Sequence, residues 1–249
     1  MPGNPSLQDL WDSVRPTTQV FDPGDFTTLP VGARRYLGHA IEPGTPLASA
    51  VRLTMSGEIK LKKWVSFEAE QVINWDRGFL WRATAWMGAA RIEGFDSLID
   101  GHAQMRWRLF GLIPVMSADG PDIDKSAVGR LAAESVWLPS ALCRDGVRWA
   151  AENPTDVRVA PTDASESPDL RLALDADGRL ESVSLRRWGE LAREKGYSYR
   201  DFGGLAEQEE SFEGYTIPTR MRVGWHFGSD RFAREGEFFR CHIQSAEFR

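Results

Sequence analysis

Residues 126–149 read SAVGRLAAESVWLPSALCRDGVRW and predict the one long helix of the chain. Ser126 is suited to cap this helix, and small or apolar side chains follow at the spacing of a single helical face. That face consists of Val128, Leu131, Ala132 and Ser135. Leu138 precedes a proline and is therefore disfavoured in the α region, so we predict that the helix covers residues 126–136.

The rest of the chain is mostly typical of β-strands. From Ala50 onward apolar and polar residues alternate, and turn signals such as Ser56-Gly57 and Asp100-Gly101 recur at short intervals. These intervals are too short for the crossovers that parallel strands need. We therefore predict a mainly β (α+β) fold, in which a curved, partly closed antiparallel sheet wraps around the central helix.

The N-terminal region has a different pattern. Residues 6–14 predict a short amphipathic helix, and a second short helix is predicted after Pro30. Nothing repeats, and no linker is long enough to divide the chain. We expect an N-terminal helix and extended arm over residues 1–28 and a single β-rich domain over residues 29–249.

Composition excludes several classes of protein. With 42% hydrophobic and 11% aromatic residues, the 249-residue chain can bury a core and is not disordered. A formal charge of −6 argues against nucleic-acid binding through the overall field of the protein. No run approaches the roughly 20 apolar residues of a membrane span, and no signal-peptide pattern begins the sequence. The two cysteines are predicted to be reduced thiols, so we expect a cytoplasmic protein.

The common catalytic and cofactor motifs do not occur. The sequence contains no G-x-G-x-x-G, Walker A, H-E-x-x-H, paired C-x-x-C or G-x-S-x-G pattern, so we predict no cofactor and no metal. A metal site assembled from strands, by His102, His226 and His242, is an alternative to ordinary sheet-face histidines. The strands that carry these histidines alternate polar with apolar residues, which fits either an amphipathic sheet or a polar groove.

Arg130 and Glu134 form the strongest chemical constellation, because they lie one helical turn apart with Trp137 close by. A carboxylate buried against a sheet must be paired, or its pKa must rise. One interpretation is an ion pair that locks the helix to the sheet. The other is a general acid or base, in which Glu134 acts with Arg130 or with a histidine such as His102.

Short motifs in a fixed order resemble an uncharacterised family of bacterial domains. They are R-x-x-x-E-x-x-W-x-P at 130–139, L-P-x-x-x-R-R-Y-L at 29–37, G-F-L-W at 78–81, G-L-I-P-V at 111–115, V-x-W at 147–149 and Y-x-I-P at 215–218. Members of that family look similar in strand layout to the periplasmic lipoprotein-carrier fold. The resemblance implies a curved sheet that wraps helices and holds an apolar cavity. It implies no activity and no catalytic residues.

The predicted function is binding of a small apolar or amphipathic molecule between sheet and helix. Five tryptophans are expected to form the wall of the binding site, because ligand pockets are mostly apolar. They are Trp81, Trp86, Trp107, Trp137 and Trp225. The alternative is a cofactor-independent isomerase, cyclase or hydrolase that uses Glu134 with Arg130 or with a nearby histidine such as His102. A structural or partner-binding protein with a filled core is a third possibility. The oligomeric state does not follow from the sequence.

Overall fold

One antiparallel sheet of thirteen strands forms most of the described part of the chain. The structure is a computed structural model and describes residues 6–15, 17–161, 168–191 and 194–249. The strands are β1 Ala50–Lys60, β2 Trp64–Asn74, β3 Gly78–Met87, β4 Ala90–Ile99, β5 His102–Leu109, β6 Ile113–Asp119, β7 Arg148–Asn153, β8 Asp156–Ala160, β9 Leu170–Leu174, β10 Leu180–Leu191, β11 Glu194–Phe212, β12 Tyr215–Trp225 and β13 Glu237–Phe248. The prediction of a mainly β, antiparallel fold is confirmed.

The strand order joins two meanders into a single sheet. It runs β6-β5-β4-β3-β2-β1-β13-β12-β11-β10-β9-β8-β7, so sequential neighbours pair within each half and β1 pairs with β13. We call β1–β6 the first arm and β7–β13 the second arm. Because β6 and β7 are the two outer strands, the sheet is open, and the predicted partial closure is not found.

The helices are few. In the described residues they are α1 Leu7–Asp12, α2 Val31–Ala40 and α3 Pro121–Ala133, with short 3₁₀ helices at Pro23–Phe26, Glu134–Trp137 and Pro139–Cys143 and a π-helical turn at Phe232–Gly236. The segment with α3 connects the two edge strands, which are consecutive in the chain. This helix contacts β4, β5 and β6 of the first arm and β10 of the second arm. No helix in the described ranges is long and apolar enough to cross a membrane.

The predicted boundaries of the long helix were wrong. It begins at Pro121, which suits the first turn because that position needs no N–H donor, and Ser126 lies inside it. The α-helix ends at Ala133 and tightens into the 3₁₀ helix Glu134–Trp137. Leu138 then leaves the helical region, with φ −136° and ψ 68°, as its position before a proline predicts.

The buried face of α3 also differs from the predicted one. Val128 is 40% exposed, and the residues that α3 buries are Ala127, Gly129, Ala132 and Ala133. Small side chains allow the helix axis to approach the sheet closely. At Gly129 a Cβ atom would lie only 3.0 Å from Cγ of Arg187 in β10. This close approach brings the polar side chains of α3 to the interior.

The core occupies the face of the sheet that α3 covers. Its buried members come from both arms and from α2, and they include Leu37, Leu53, Phe67, Leu172 and Ile217. On the opposite face, α1 covers a smaller cluster of Leu7, Leu10, Val72, Leu80 and Phe95. The period-two pattern of β1 is confirmed, but β1 continues through Ser56 and Gly57, where a turn was predicted. A Cβ at Gly57 would lie 2.0 Å from the Arg240 carbonyl oxygen, so glycine here permits the pairing with β13.

Candidate functional site

A cavity of about 340 Å³ lies between α3 and both arms of the sheet. Its wall is mostly apolar and rich in aromatic rings. The apolar lining includes Ile59, Trp81, Met105, Trp137, Phe202, Met221, Trp225 and Phe239. Its polar lining includes Gln71, Asp96, Arg130, Glu134 and Arg187. An apolar enclosure with a few polar side chains is the usual composition of a small-molecule site.

The structure brings three of the five predicted tryptophans to this cavity, namely Trp81, Trp137 and Trp225. Trp107 lies behind the wall, with its ring centroid 5.6 Å from that of Trp81. Trp86 lines a separate, open depression. The structure does not bring Trp86 to the same wall, because Trp81 and Trp86 are five residues apart on β3 and such side chains point to opposite faces of a strand.

Two of the tryptophans are held by specific neighbours. The Nε1 of Trp137 donates a hydrogen bond to the carbonyl oxygen of Pro218, at 3.0 Å. The ring of Trp225 packs edge-on against Phe202, at a centroid distance of 5.0 Å. Gly189 leaves room for this ring, since a Cβ there would lie 2.3 Å from the indole. These contacts fix the shape of the wall.

Arg130 is the centre of a buried ion-pair network. Its Nε donates to Oε1 of Glu134 at 2.7 Å, and its Nη1 donates to Oδ2 of Asp96 at 3.1 Å. The second oxygen of each carboxylate also accepts a hydrogen bond, from Nε2 of Gln71 at 2.6 Å and from Nε1 of Trp107 at 2.9 Å. The side chains of Arg130, Asp96 and Glu134 are only 19%, 15% and 11% exposed. The network therefore satisfies all four carboxylate oxygens.

Burial and charge shift the pKa values in this network in identifiable ways. Burial raises the pKa of Asp96 above its usual value, and the charge of Arg130 and the hydrogen bonds from Trp107 and Arg130 offset only part of this. Burial alone would lower the pKa of Arg130, but the two carboxylates outweigh it and hold the pKa above its usual value. The Arg130 guanidinium also lies 4.5 Å from the ring centroid of Phe79, a favourable cation–π distance.

His102 does not take part in this site. It begins β5, is exposed, and points to the face opposite the inward side chains of Ala103 and Trp107. The structure thus brings together two of the three predicted acid–base residues, Arg130 and Glu134. Within the described ranges no three His, Cys, Asp or Glu side chains are close enough to hold a metal ion, so His102, His226 and His242 do not form such a group.

The sequence analysis missed Arg187 and the role of Gln71. A signal for Arg187 exists in β10, where Val183, Leu185, Arg187 and Gly189 alternate with outward residues. An arginine in phase with buried apolar residues is unusual, since charged side chains are rarely buried without a purpose. Gln71 gives a similar signal in β2, where it is in phase with Phe67 and Ile73.

The fold and the site together define an open antiparallel sheet with a helix-covered, mostly apolar cavity. The chain belongs to a family of unknown function, DUF6920, whose match covers residues 27–248. The resemblance to an uncharacterised domain family is therefore confirmed. A search of curated protein sequences found no match.

Two of the similar solved structures cover most of this chain. A LolA superfamily protein from Nitrosomonas europaea has a TM-score of 0.47 and 7% identity, over 88% of this chain and 92% of its own. A domain from Vibrio parahaemolyticus, named for outer membrane lipoprotein sorting, has a TM-score of 0.41 and 8% identity, over 92% of this chain and 94% of its own.

The cytoplasmic location expected from the sequence is contradicted by these comparisons. One of the similar proteins is named for outer membrane lipoprotein sorting, a name that does not fit the cytoplasmic expectation. We therefore withdraw that expectation.

Proposed function

We propose that the protein binds a small apolar or amphipathic molecule in the cavity between α3 and the sheet. The observation that carries this proposal is the cavity itself, whose volume of about 340 Å³ lies within the roughly 300–1,000 Å³ of small-molecule sites. Three tryptophans, three phenylalanines and aliphatic side chains supply contact area for an apolar ligand. In this proposal the binding unit is the single domain of residues 29–249.

The position of α3 supports the proposal. Since α3 contacts β10 on one arm and β4 to β6 on the other, we infer that the sheet curves around this helix. The helix then forms one wall of the binding site, and its small residues leave space that bulkier side chains would fill. Movement of α3 relative to either arm would change the size of the cavity.

Ligand titrations followed by two signals test the proposal. We expect members of a panel of fatty acids, fatty alcohols, terpenoids and aromatic compounds to raise the melting temperature, because they bind only the folded protein. The same ligands should change tryptophan fluorescence, since Trp81, Trp137 and Trp225 line the cavity.

A cavity-filling variant makes the test specific. Ala133→Leu adds volume at a lining position of α3, and we expect it to weaken binding at least tenfold while the fold is retained. Val128→Leu is the matched control, because this residue lies on the same helix and is exposed. If no member of the panel changes either signal, the protein has no such ligand, and a filled-core structural protein is the better interpretation.

The enzymatic alternative stays a prediction, with Glu134 and Arg130 as its acid–base pair. Hydrogen bonds from Arg130 and Gln71 engage both carboxylate oxygens of Glu134, which favours a structural role for this residue. A catalytic role would require Glu134→Gln to leave folding nearly unchanged and to lower an identified activity by roughly 10²–10⁴-fold.

A further inference from the structure

The second buried cation of the cavity, Arg187, has an incomplete set of partners. Its Nε donates to the carbonyl oxygen of Ser126 at 3.0 Å, and its Nη2 donates to the Ser126 hydroxyl at 3.3 Å. Its guanidinium lies 4.6 Å from the ring centroid of Phe202 and 5.4 Å from that of Trp225. In the described part of the chain, Nη1 donates to no protein acceptor and no carboxylate lies within ion-pair distance.

Arg130 and Arg187 differ in this respect although they line the same cavity. Arg130 has a carboxylate on each side, whereas the described residues offer Arg187 the neutral oxygens of Ser126 and no carboxylate at ion-pair distance. Burial lowers the pKa of Arg187 to about 10, and the positive charge of Arg130 adds to the shift, while Glu134 and Asp96 oppose it. A buried charge without a direct counter-charge is costly, so a site that keeps one has a reason to do so.

The chemistry of a guanidinium identifies the kind of group that would complete the hydrogen-bond partners of Arg187. Arginine presents planar N–H donors that match the oxygens of carboxylates and phosphates, and hydrogen bonds between charged partners are about twice as strong as neutral ones. The rings of Phe202 and Trp225 lie at cation–π distance from the guanidinium and make its surroundings apolar. Other lining side chains, such as Ile59, Met105 and Phe239, offer only apolar contact.

We infer that the ligand of this cavity is an amphipathic oxyanion, whose negatively charged head group accepts a hydrogen bond from Nη1 of Arg187. Its apolar part lies against the aromatic wall. This inference rests on the proposed function, because it specifies the ligand class of the same cavity. It also explains why Arg187 is kept on the inner face of β10, where an apolar residue would fit the alternation of that strand.

Four ligands with one tail and different heads provide the test. Decanoate, decyl phosphate, decanol and decyltrimethylammonium are titrated by calorimetry into the whole protein, below their micelle-forming concentrations. We expect decanoate or decyl phosphate to bind roughly ten- to a hundredfold more tightly than decanol, the range for a hydrogen bond to a charged group. The ratio of the dissociation constants of decanoate and decyl phosphate distinguishes a carboxylate site from a phosphate site.

Variants of two adjacent arginines assign the effect to one side chain. In Arg187→Met the two anions should bind no more tightly than decanol. In Arg187→Lys part of the preference for the anions over decanol should remain. Arg186→Met is the matched control, because Arg186 is exposed and pairs with Asp201 at 3.0 Å outside the cavity. The Arg186→Met variant should prefer the anions over decanol as strongly as the wild type does.

The outcomes separate this inference from the proposed function. Equal binding of decanol and the anions by the wild-type protein overturns the role of Arg187 but leaves the apolar site intact. Tightest binding of decyltrimethylammonium also overturns it and assigns recognition to Asp96 or Glu134. Binding of none of the four refutes the proposed function itself. The wild-type series decides these cases even if Arg187→Met does not fold.

Discussion

Replacement of Glu134 by alanine should strongly destabilise the protein. Its carboxylate accepts from Nε of Arg130 at 2.7 Å and from Nε2 of Gln71 at 2.6 Å, and both donors lose their acceptor in Glu134→Ala. A buried donor left without a partner costs about 1–3 kcal/mol, so two such donors cost about 2–6 kcal/mol. Breaking a buried ion pair on one side costs about 3–5 kcal/mol by independent reasoning. We therefore expect Glu134→Ala to lower the free energy of unfolding by about 3–5 kcal/mol.

Urea unfolding followed by circular dichroism measures this loss. The midpoint should fall with an unchanged slope, since the surface exposed on unfolding hardly changes. In a thermal scan the same loss corresponds to roughly 2–4 °C per kcal/mol for a chain of this size. Glu134→Gln keeps the volume and one acceptor and should cost less than Glu134→Ala.

An exposed glutamate provides the control. Glu181 lies on β10, and among the described residues it has no hydrogen bond or ion pair, so Glu181→Ala should stay within about 0.5 kcal/mol of the wild type. If Glu134→Ala is as stable as Glu181→Ala, the network around Arg130 contributes nothing to folding. That result would refute both the structural and the catalytic interpretation of Glu134.

Three further predictions concern Asp96, Trp137 and the two cysteines. Because burial raises the folded-state pKa of Asp96 above the unfolded value, its contribution to stability is fully present below about pH 3.9 and is lost as the pH rises through the folded pKa. Between about pH 4 and pH 7, the free energy of unfolding of the wild type should therefore fall relative to that of Asp96→Asn, as measured by urea titrations. A difference that does not change with pH would contradict the raised pKa of Asp96. Trp137→Phe removes the donor to the Pro218 carbonyl and should cost about 1–3 kcal/mol, measured by the same unfolding assay; no loss would mean that the bond is not formed. Burial raises the pKa of both the Cys143 and the Cys241 thiol to about 12. The buried Cys241 should react with a thiol-specific disulfide reagent only after unfolding, whereas the half-buried Cys143 should react slowly in the folded protein. Rapid reaction of both thiols in the folded protein would contradict this prediction.

Local patterns in the sequence predicted the features that depend on near neighbours. The alternation of Val51, Leu53 and Met55 is confirmed because a half-buried strand buries every second residue, and all three are buried. The pairing of Arg130 with Glu134 follows from helical spacing, which holds across the end of α3. Trp81 and Trp86 are an odd number of residues apart on β3, so the alternation of a strand places them on opposite faces. The sequence therefore already argued against placing both in one wall.

Long-range partners could not be predicted in the same way. Asp96 and Gln71 come from β4 and β2, and only the register of the sheet brings them to the ends of the Arg130 network. Arg187 reaches the cavity from the other arm. The start of α3 was missed for a different reason, because Pro121 with Asp122 and Asp124 in the first turn is a recognisable helix start that the cap at Ser126 obscured.

The edge strand β6 has a consequence for how the protein behaves in concentrated solution. Ile113, Val115 and Met116 are all exposed on a strand that has a neighbour on one side only. Such a strand offers free backbone donors and acceptors to any other chain, and apolar side chains strengthen that attraction. Pro114 removes one donor from this border, and the register shift between Trp107 and Arg108 disturbs the pairing beside it. We therefore expect Pro114 to oppose the pairing of β6 with a strand of another molecule, and so to limit aggregation.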